Sequence, residues 1–242
     1  MIVAIHQPNL FPRLKILQKI ALADIWVVLD NVQFCQREYQ NRTLIVPKDK
    51  KAFWCTIPVH LPFGQSTKIN QVEFATSDSV EKISRMLKYN LMNNNRKVYL
   101  CKKILGKMDY YSNNFVDFTV ASTTTLLDIA GIYPKVIYAS QLGTIRTEKN
   151  ERLVDLCKAV GGDIYIADSG GAKYINEDIF YDNGITLLWQ TWETPQVKSA
   201  LLLKDTIRNS SSINLLMRSE QDFIDSVVQS QISRKRIYAE GR

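Results

Sequence analysis

The residues best suited to chemistry begin with a histidine placed directly after a short apolar run. His6 follows the apolar residues 2–5 and opens the segment His6-Gln7-Pro8-Asn9, where prolines prevent regular structure. A ligand bound at the end of this strand would contact the imidazole, which can exchange a proton or donate a hydrogen bond to a phosphate. The alternative is a histidine that only fixes its loop by bonding to the backbone. We therefore take His6, with Gln7 and Asn9 beside it, as the first candidate group.

A second group leaves the end of another apolar run, residues 25–29. Asp30 comes directly after this run, and four polar side chains that can bind phosphate, sugar or peptide groups follow it: Gln33, Arg37, Asn41 and Arg42. Arginine offers a planar fork to phosphate, and amides bind sugars or peptide groups at fixed geometry. A solvated surface loop explains any one of these residues better than binding does. It explains the set less well, because the segment leaves the carboxyl end of a buried strand.

A third group combines cations with a glycine loop. Lys149 and Arg152 lie three residues apart on one face of a predicted helix, so they can reach one anion together, although a solvated charged face is the alternative. The loop after residues 163–167 holds Asp168 and five candidate binding residues: Ser169, Gly170, Gly171, Lys173 and Tyr174. Glycines let backbone N–H groups approach an anion, but turn geometry alone also explains a glycine pair. Trp189 is a candidate stacking wall, with core packing as the alternative.

These groups require strands whose carboxyl ends meet at one edge of a sheet. Residues 1–30 have the pattern strand, helix, strand, with apolar runs typical of a buried parallel sheet. A second run continues the pattern with strands at 135–139, 163–167 and 185–189 and a helix from the predicted N-cap Thr147 to Val160. The sequence therefore predicts an α/β fold with a mostly parallel, Rossmann-like sheet that binds ligands at the carboxyl ends of its strands.

The periodicity changes between the two α/β runs. Short alternating segments separated by turns predict a small antiparallel insertion at about residues 43–78, and helical spacing predicts a helical segment at about 79–131. Residues 1–195 thus form a predicted α/β catalytic core, and residues 196–242 a C-terminal helical segment with a frayed tail. One domain with an insertion and two separate domains are both compatible with this pattern.

Composition limits the class of protein and of site. The 242 residues are 45% hydrophobic and 23% charged, which excludes a disordered, collagen-like or coiled-coil chain. Four cysteines without CxxC spacing and only two histidines predict neither a metal site nor a disulfide framework. The longest apolar runs are too short to span a membrane, and no secretion signal opens the chain, so we expect a cytoplasmic protein without membrane insertion.

The net charge of +7 favours phosphate-bearing partners without identifying one. The chain lacks GxGxxG, GxxxxGK[ST] and GxSxG, the signatures of common dinucleotide, NTPase and hydrolase sites. Its basic residues are dispersed along the sequence, with no finger or RNP-like motif, which disfavours a nucleic-acid module. We interpret the excess charge as the lining of a small-molecule site.

Four blocks of the sequence resemble the WbqC-like protein family. They are VAIHQPNLFPRLKILQKIALADIWVVLDNVQFCQREYQNR, FWCTIPVHLPFG, KNERLVDLCKAVGGDIYIADSGGAKYI and the pattern F-x-x-x-GI-x-x-x-WQ-x-W-x-x-P, which together cover about residues 1–195. The chain departs from the family where Arg13-Leu14-Lys15-Ile16 replaces Trp-Leu-Gly-Tyr, and again beyond Pro195. The family is known mainly from bacterial surface-polysaccharide gene clusters. The resemblance thus implies amino-sugar modification in O-antigen or lipopolysaccharide biosynthesis.

The layout is also similar to a second group of proteins. The segment His6 to Asn9, between a first strand and a helix, resembles the HxGH loop of nucleotidyltransferase-like α/β proteins, with Asn9 where a second histidine would stand. The later run from Ala23 to Arg42 resembles ATP-using ligases of that superfamily. This likeness concerns the fold rather than a particular reaction.

The resemblance and the candidate residues together predict an N-acyltransferase that places a glycyl or other small acyl group on the amine of a nucleotide-linked amino sugar of dTDP or UDP type. His6 would take the proton from the attacking amine, and Asp30 would orient His6 or hold the amine. The oxyanion would be bound by Asn9, Gln33 and the N–H groups of Gly170 and Gly171. The phosphates would be bound by Arg37, Arg42, Lys149 and Lys173.

The sequence leaves the acyl donor open, and no tightly bound cofactor is expected. A carrier-protein thioester, a coenzyme A thioester, an aminoacyl-tRNA, or an amino acid with ATP that forms an adenylate would each serve. Acyl carrier protein and tRNA are therefore the macromolecular partners to consider. The alternative functions are a metal-independent glycosyltransferase, for which no DxD motif is present, an ATP-dependent ligase that forms the same amide, and a non-catalytic module that binds a protein or RNA.

Overall fold

A computed structural model describes residues 1–47, 51–91, 95–111, 113–143, 145–192, 194–201, 203 and 206–229. The strands are β1 (Ile2–His6), β2 (Ile25–Val28), β3 (Arg42–Ile45), β4 (Phe53–Thr56), β5 (Val59–His60), β6 (Glu73–Phe74), β7 (Lys135–Tyr138), β8 (Ile164–Ala167) and β9 (Thr186–Trp189). The helices are α1 (Leu14–Ala21), α2 (Ser79–Leu91), α3 (Asn95–Tyr110), α4 (Phe115–Ile129), α5 (Lys149–Ala159), α6 (Glu177–Asp182), α7 (Lys198–Leu201) and α8 (Ile213–Arg218), with a further helix over 220–229. The expected frayed tail lies beyond residue 229, outside the described residues.

A five-stranded parallel sheet forms the centre of the structure. Its order is β7-β2-β1-β8-β9, and each neighbouring pair is parallel. The chain first builds outward from β1 through β2 to β7, then crosses to the other side of β1 to add β8 and β9. This reversal opens a crevice between the carboxyl ends of β1 and β8, the position at which ligands bind in such sheets. The predicted Rossmann-like α/β fold is confirmed.

Both faces of the sheet are covered, as the unbroken apolar strands predict. Trp26 and Val28 share one apolar cluster with the buried side chains of α1 and α4. Val3 and Ile5 belong to a second cluster with α5, α6 and Tyr165. Successive residues of a strand point to opposite faces, so β2 contributes to both of these clusters. Ile2 and Ala4, on the other face of β1, pack in a small third cluster with the residues directly after α1. β1 is therefore packed on both of its faces.

The long crossover from β2 to β7 contains the predicted antiparallel insertion and helical segment. β3 pairs with β4 and β5 with β6, both antiparallel, and α2, α3 and α4 follow. The first of these pairs begins at Arg42, close to the expected boundary. The prediction for the start of α5 was wrong, because Glu148 rather than Thr147 caps it. The Glu148 carboxylate accepts hydrogen bonds from the N–H groups of Asn150 and Glu151.

The C-terminal segment packs onto the core. The backbone of Ser211 bonds to Leu44 of β3, and that of Ser212 bonds to Pro12 in the loop before α1. Asn214 on α8 also donates to Leu44. The segment therefore braces the loop that carries His6. Among the described residues, no helix combines the length and apolar character needed to cross a bilayer.

Two glycines allow a matched test of this packing. A Cβ atom added to Gly162 would lie 2.3 Å from Cγ2 of Val3 and 3.2 Å from the Cys157 carbonyl oxygen, whereas one added to Gly106 in α3 meets nothing within 4 Å. We expect Gly162→Ala to lower the free energy of unfolding by about 1–3 kcal/mol through overpacking. Gly106→Ala should raise it by up to about 1 kcal/mol through helix propensity. Urea denaturation of both variants measures the difference, and equal effects would contradict the packing described for β1.

Candidate active site

The crevice between β1 and β8 contains a cavity of about 260 Å³. The two strands pair only as far as Ala4 with Ile166, and beyond this point their ends diverge around the cavity. It is lined by Ile5, His6, Gln7, Lys19, Leu29, Leu153, Tyr165, Asp168, Gly171 and Tyr174. Its volume is slightly below the roughly 300–1,000 Å³ of typical ligand sites, so it would hold one sugar ring or an acyl group rather than a whole nucleotide sugar.

Lys19 places an ammonium group between the diverging strands. It comes from the buried face of α1, and only 3% of its side chain is exposed. Its Nζ donates to the Ile5 carbonyl oxygen at 3.2 Å and to Oδ2 of Asp168 at 3.4 Å. Burial lowers the pKa of Lys19 from its ordinary value, and the Asp168 carboxylate opposes this shift only in part. A buried lysine that keeps two acceptors inside a cavity is a strong candidate for ligand contact.

Asp168 supplies the negative charge of the cavity. It follows β8, and its Oδ1 accepts the Gly170 N–H at 2.7 Å. Burial alone would raise the pKa of Asp168, but the nearby Lys19, His6 and the Gly170 N–H outweigh it and lower the pKa to about 2. Asp168 is therefore ionised at neutral pH. It forms an ion pair with the side chain of Lys19, which is almost fully buried.

His6 is a neutral base with a defined tautomer. Its Nδ1 lies 2.7 Å from the Gln7 carbonyl oxygen. Because a carbonyl oxygen only accepts, Nδ1 carries the proton and Nε2 presents a lone pair. Burial lowers the pKa of His6 to about 4, with the Lys19 charge as the next contribution, against the opposing effects of the Gln7 bond and Asp168. No hydrogen bond from a described residue occupies Nε2.

Two tyrosines complete the wall of the cavity. The Tyr165 ring lies below Lys19, with Nζ 5.5 Å from the ring centroid, and stacks on Phe180 from the other side. Burial raises the pKa of the Tyr165 hydroxyl well above its ordinary value, and burial also raises that of Tyr174. Both hydroxyls therefore stay protonated at neutral pH and can donate hydrogen bonds to a ligand.

The structure brings four of the sequence-predicted site residues to this cavity: His6, Gln7, Gly171 and Tyr174. Ser169, Gly170 and Lys173 lie on the adjoining loop, and the Ser169 hydroxyl accepts a bond from Lys15 at 2.6 Å. The N–H groups of both glycines are already used inside this loop, because Gly170 donates to the Asp168 side chain and Gly171 to the Asp168 carbonyl oxygen. They therefore have no free donor for an oxyanion.

Asp30 and Asn9 do not line the cavity, and their side chains form hydrogen bonds elsewhere in the fold. The two oxygens of Asp30 accept bonds from the N–H and the hydroxyl of Ser140, at 2.9 and 2.5 Å, which ties the end of β2 to the segment after β7. The buried Asn9 side-chain amide donates to the Pro8 carbonyl oxygen. The backbone carbonyl oxygen of Asn9 accepts hydrogen bonds from the hydroxyls of Ser122 and Thr123 on α4. The sequence suggested that Asp30 orients His6, but no hydrogen bond between described residues joins the two side chains.

The remaining residues of the second group lie on the insertion. Gln33 donates to the Gln65 carbonyl oxygen, and Asn41 donates to that of Ile57. The Arg42 guanidinium stacks on Trp54 at 4.1 Å from the ring centroid and also bonds to the Arg37 carbonyl oxygen. These contacts form a separate polar face, since none of these four predicted residues lines the cavity.

The third group divides between the cavity rim and structural roles. Lys149 Nζ lies 5.3 Å from the centroid of the Tyr174 ring, at the edge of the cavity. Arg152 bonds to the Thr147 carbonyl oxygen, and Trp189 donates to the Glu177 carboxylate while packing against the α5 and α6 cluster. Lys149 is thus next to the cavity-lining Tyr174, and Trp189 lies beside the cavity-lining Gly171, where an added Cβ atom would be 3.9 Å from Cζ3 of Trp189.

Sequence reasoning missed Lys19 and Tyr165. Lys19 lies on the apolar stripe of α1 with Ile16 and Ile20, where helical periodicity places a charged residue against the core. That misplaced charge is the signal that could have identified it. Tyr165 lies within the apolar strand β8, so the sequence pattern does not distinguish it from an ordinary core residue.

Two further observations concern the chemistry of the site. Among the described residues, no group of three or more His, Cys, Asp or Glu side chains is arranged to hold a metal ion. Gln190, directly after β9, donates to the Lys15 carbonyl oxygen at 3.0 Å, whereas its buried Oε1 has no hydrogen-bond partner in the described part of the chain. This oxygen can accept a hydrogen bond from a ligand at the same sheet edge.

The His6 tautomer leads to a test by pH. Because the unfolded imidazole takes up a proton near pH 6.5 and the folded one near pH 4, acidification between these values favours the unfolded chain. The contribution of His6 to the free energy of unfolding should therefore be fully present above pH 6.5. The free energy of unfolding should fall by roughly 2–3 kcal/mol between pH 6.5 and pH 4. His6→Asn, which keeps a donor for the Gln7 carbonyl oxygen, should lose less over the same window.

Urea denaturation between pH 4 and 8 measures this difference, and the NMR titration of the His6 ring protons measures the pKa directly. The His6→Asn spectrum assigns the resonance, because His6 and His60 are the two histidines of the chain. A folded-state pKa near 6.5 would contradict the neutral, desolvated ring.

Comparisons with known proteins agree with this architecture at the level of family. The chain is 22% identical to the uncharacterized protein Rv1507c of Mycobacterium tuberculosis over 190 residues, which cover 77% of this chain and 80% of that protein. No solved structure matches the chain. The model of the WbqC-like protein family matches residues 7–225, so the family pattern continues past Pro195, where the sequence-based resemblance ended, and includes the segment that braces the His6 loop. The chain belongs to the WbqC-like protein family.

Proposed function

We propose that this protein is an N-acyltransferase that acylates the amine of a nucleotide-linked amino sugar for a bacterial surface polysaccharide. The observation that carries the proposal is the neutral His6, with an unprotonated Nε2, in a crevice shared with the Lys19 ammonium. A base and a cation side by side provide what attack of an amine on an acyl carbonyl needs. The WbqC-like family supplies the polysaccharide context.

The acyl transfer begins with an amine that is protonated at neutral pH. The ammonium first loses one proton to solvent, and Nε2 of His6 takes a second proton from the nitrogen as the free amine attacks the carbonyl carbon of the donor. The new C–N bond forms, the C–S or C–O bond of the donor breaks, and the imidazolium returns its proton to the leaving thiolate or alkoxide. The low pKa of the free His6 rises when an anionic substrate offsets the Lys19 charge, since that charge contributes to the shift.

Lys19 is the proposed donor to the oxyanion. An ammonium group has three N–H donors, and two of them are used by Ile5 and Asp168. The third remains for the oxygen that becomes negative in the tetrahedral intermediate. This assignment replaces the amides of Gly170 and Gly171, which are engaged within their own loop.

The nucleotide would lie across the rim of the crevice. The cavity is too small for it, whereas the rim carries Lys15 of α1 with its hydrogen bond to Ser169, Lys149 beside Tyr174, and the exposed Lys173. Lysines at the carboxyl edge of a parallel sheet suit a diphosphate. Oxygen Oε1 of Gln190 would accept from a sugar hydroxyl or the base.

Incubation of the purified protein with dTDP- and UDP-linked 4-amino sugars and with each class of acyl donor tests the reaction. Mass spectrometry should detect an acylated nucleotide sugar with its nucleotide still attached. Released nucleoside diphosphate would instead identify a glycosyltransferase, and AMP with pyrophosphate from ATP would identify an amide ligase. If no nucleotide sugar binds or reacts with any donor, the proposal fails.

The His6→Asn variant tests the role of the base. Asn retains a side-chain N–H for the Gln7 carbonyl oxygen but has no acceptor at the position of Nε2. We expect kcat to fall by about 100- to 10,000-fold, the usual contribution of general-base catalysis, with the Kd for the nucleotide sugar nearly unchanged. Full activity in this variant would exclude His6 as the base.

A further inference from the structure

Helices α2 and α3 account for most of the net positive charge of the chain. Together they contain eight Lys and Arg residues against two acidic ones, which is +6 of the net +7. The two helices pack against each other, and their apolar sides enter the main core. Most of the net excess of positive charge therefore lies on one pair of neighbouring helices.

Basic and aromatic side chains alternate along the outer face of α3. Arg96, Tyr99, Lys103 and Tyr110 follow the spacing of a single helix face over about 21 Å. Tyr99 is 54% exposed and Tyr110 is 80% exposed. On α2, Lys82, Arg85 and the 79% exposed Tyr89 have the same kind of spacing, so they form a second stripe of this composition.

Some of these cations have local partners. Lys82 pairs with Asp78, Arg85 with Glu81, Arg96 with Glu220 and Lys107 with Asp128. Lys102 and Lys103, in the middle of α3 and both exposed, have no ion pair among the described residues. The centre of the α3 face thus keeps its charge for an external anion.

We infer that the outer face of α2 and α3 is a docking surface for RNA, and that the acyl donor of the proposed reaction is an aminoacyl ester on the 3′ end of a tRNA. The inference rests on the proposed function and names its donor. The ester C–O bond would break as the amide C–N bond forms, and the terminal ribose hydroxyl would leave with the proton that His6 returns.

The exposed tyrosines distinguish RNA from an acidic carrier protein. The same lysines would attract either partner, because both are polyanions. The large apolar side chains that the described parts of α2 and α3 expose are all tyrosines, with no exposed Leu, Ile or Met beside them. Phenol rings that alternate with cations along one helix face suit the stacking of unpaired bases along a phosphate backbone, and an acidic carrier protein offers no such bases.

The first experiment measures the affinity of the full chain for fluorescein-labelled bulk bacterial tRNA by anisotropy, between about 50 and 200 mM salt. Affinity should fall linearly on a logarithmic plot against salt. The double variant Lys102→Ala with Lys103→Ala should bind more weakly and reduce the salt slope by about 2, since each lysine would contact one phosphate. The matched control, Lys51→Ala with Lys135→Ala, removes two exposed lysines elsewhere and should leave the slope unchanged.

The second experiment separates stacking from charge. Tyr99→Ala with Tyr110→Ala should weaken tRNA binding on the order of tenfold or more with the salt slope unchanged, and the corresponding Phe variants should restore it. Tyr181→Ala is the control, because Tyr181 is 83% exposed but lies on the acidic helix α6. Equal loss in the control variants, or no tRNA binding at low salt, would overturn the inference.

The third experiment asks which donor reacts. Glycyl-tRNA and other aminoacyl-tRNAs should acylate the nucleotide sugar, and the α3 lysine variant should raise the KM for the tRNA while leaving the KM for the nucleotide sugar unchanged. Transfer only from a carrier-protein or small-molecule thioester would overturn the inference and leave the proposed acyl transfer intact. tRNA binding that depends on α3, without acylation of any nucleotide sugar, would overturn the proposed acyl transfer and the donor assignment with it, and would leave only the RNA-binding surface.

Discussion

The insertion of the Lys19 ammonium between the ends of β1 and β8 is the interaction around which the site is organised. Where the two strands diverge, the Ile5 carbonyl oxygen loses its place in the ladder, and Lys19 bonds to it from the buried face of α1. The same ammonium bonds to Asp168 and adds to the lowering of the His6 pKa that burial causes. A buried charge of this kind is tolerated only when it is paired and hydrogen-bonded, so Lys19, Ile5 and Asp168 depend on one another.

The rest of the fold keeps this crevice in register. Asp30 joins the end of β2 to the segment after β7 through Ser140, and α4 holds the loop after His6 through Ser122. The C-terminal segment closes on the same loop at Pro12. Each of these contacts connects parts of the chain that are more than a hundred residues apart, which makes the position of His6 a property of the whole domain.

Charge is divided between two regions with different consequences. In the crevice, burial and close pairing shift the pKa values of Lys19, His6 and Asp168, so these charges act at short range on a reacting group. On α2 and α3 the charges are spread over a long outer face, where salt screens them and where an extended anion would meet them. A small acceptor and a large donor would thus meet separate surfaces of the same protein.

The sequence by itself determined the α/β class, the parallel strands, the antiparallel insertion and the position of His6 at a strand end, because hydrophobic periodicity and prolines act locally. It also determined the family, through blocks that include the loop after β8. Only the tertiary structure decided which side chains meet. Lys19 reaches Asp168 across 149 positions of sequence, Asp30 turns to Ser140 rather than His6, and Arg42 turns to Trp54. Likewise, the cations of α2 and α3 are close together in the sequence, but only the tertiary structure decides which of them face outward, since the direction of a side chain is set by the helix face that the core requires.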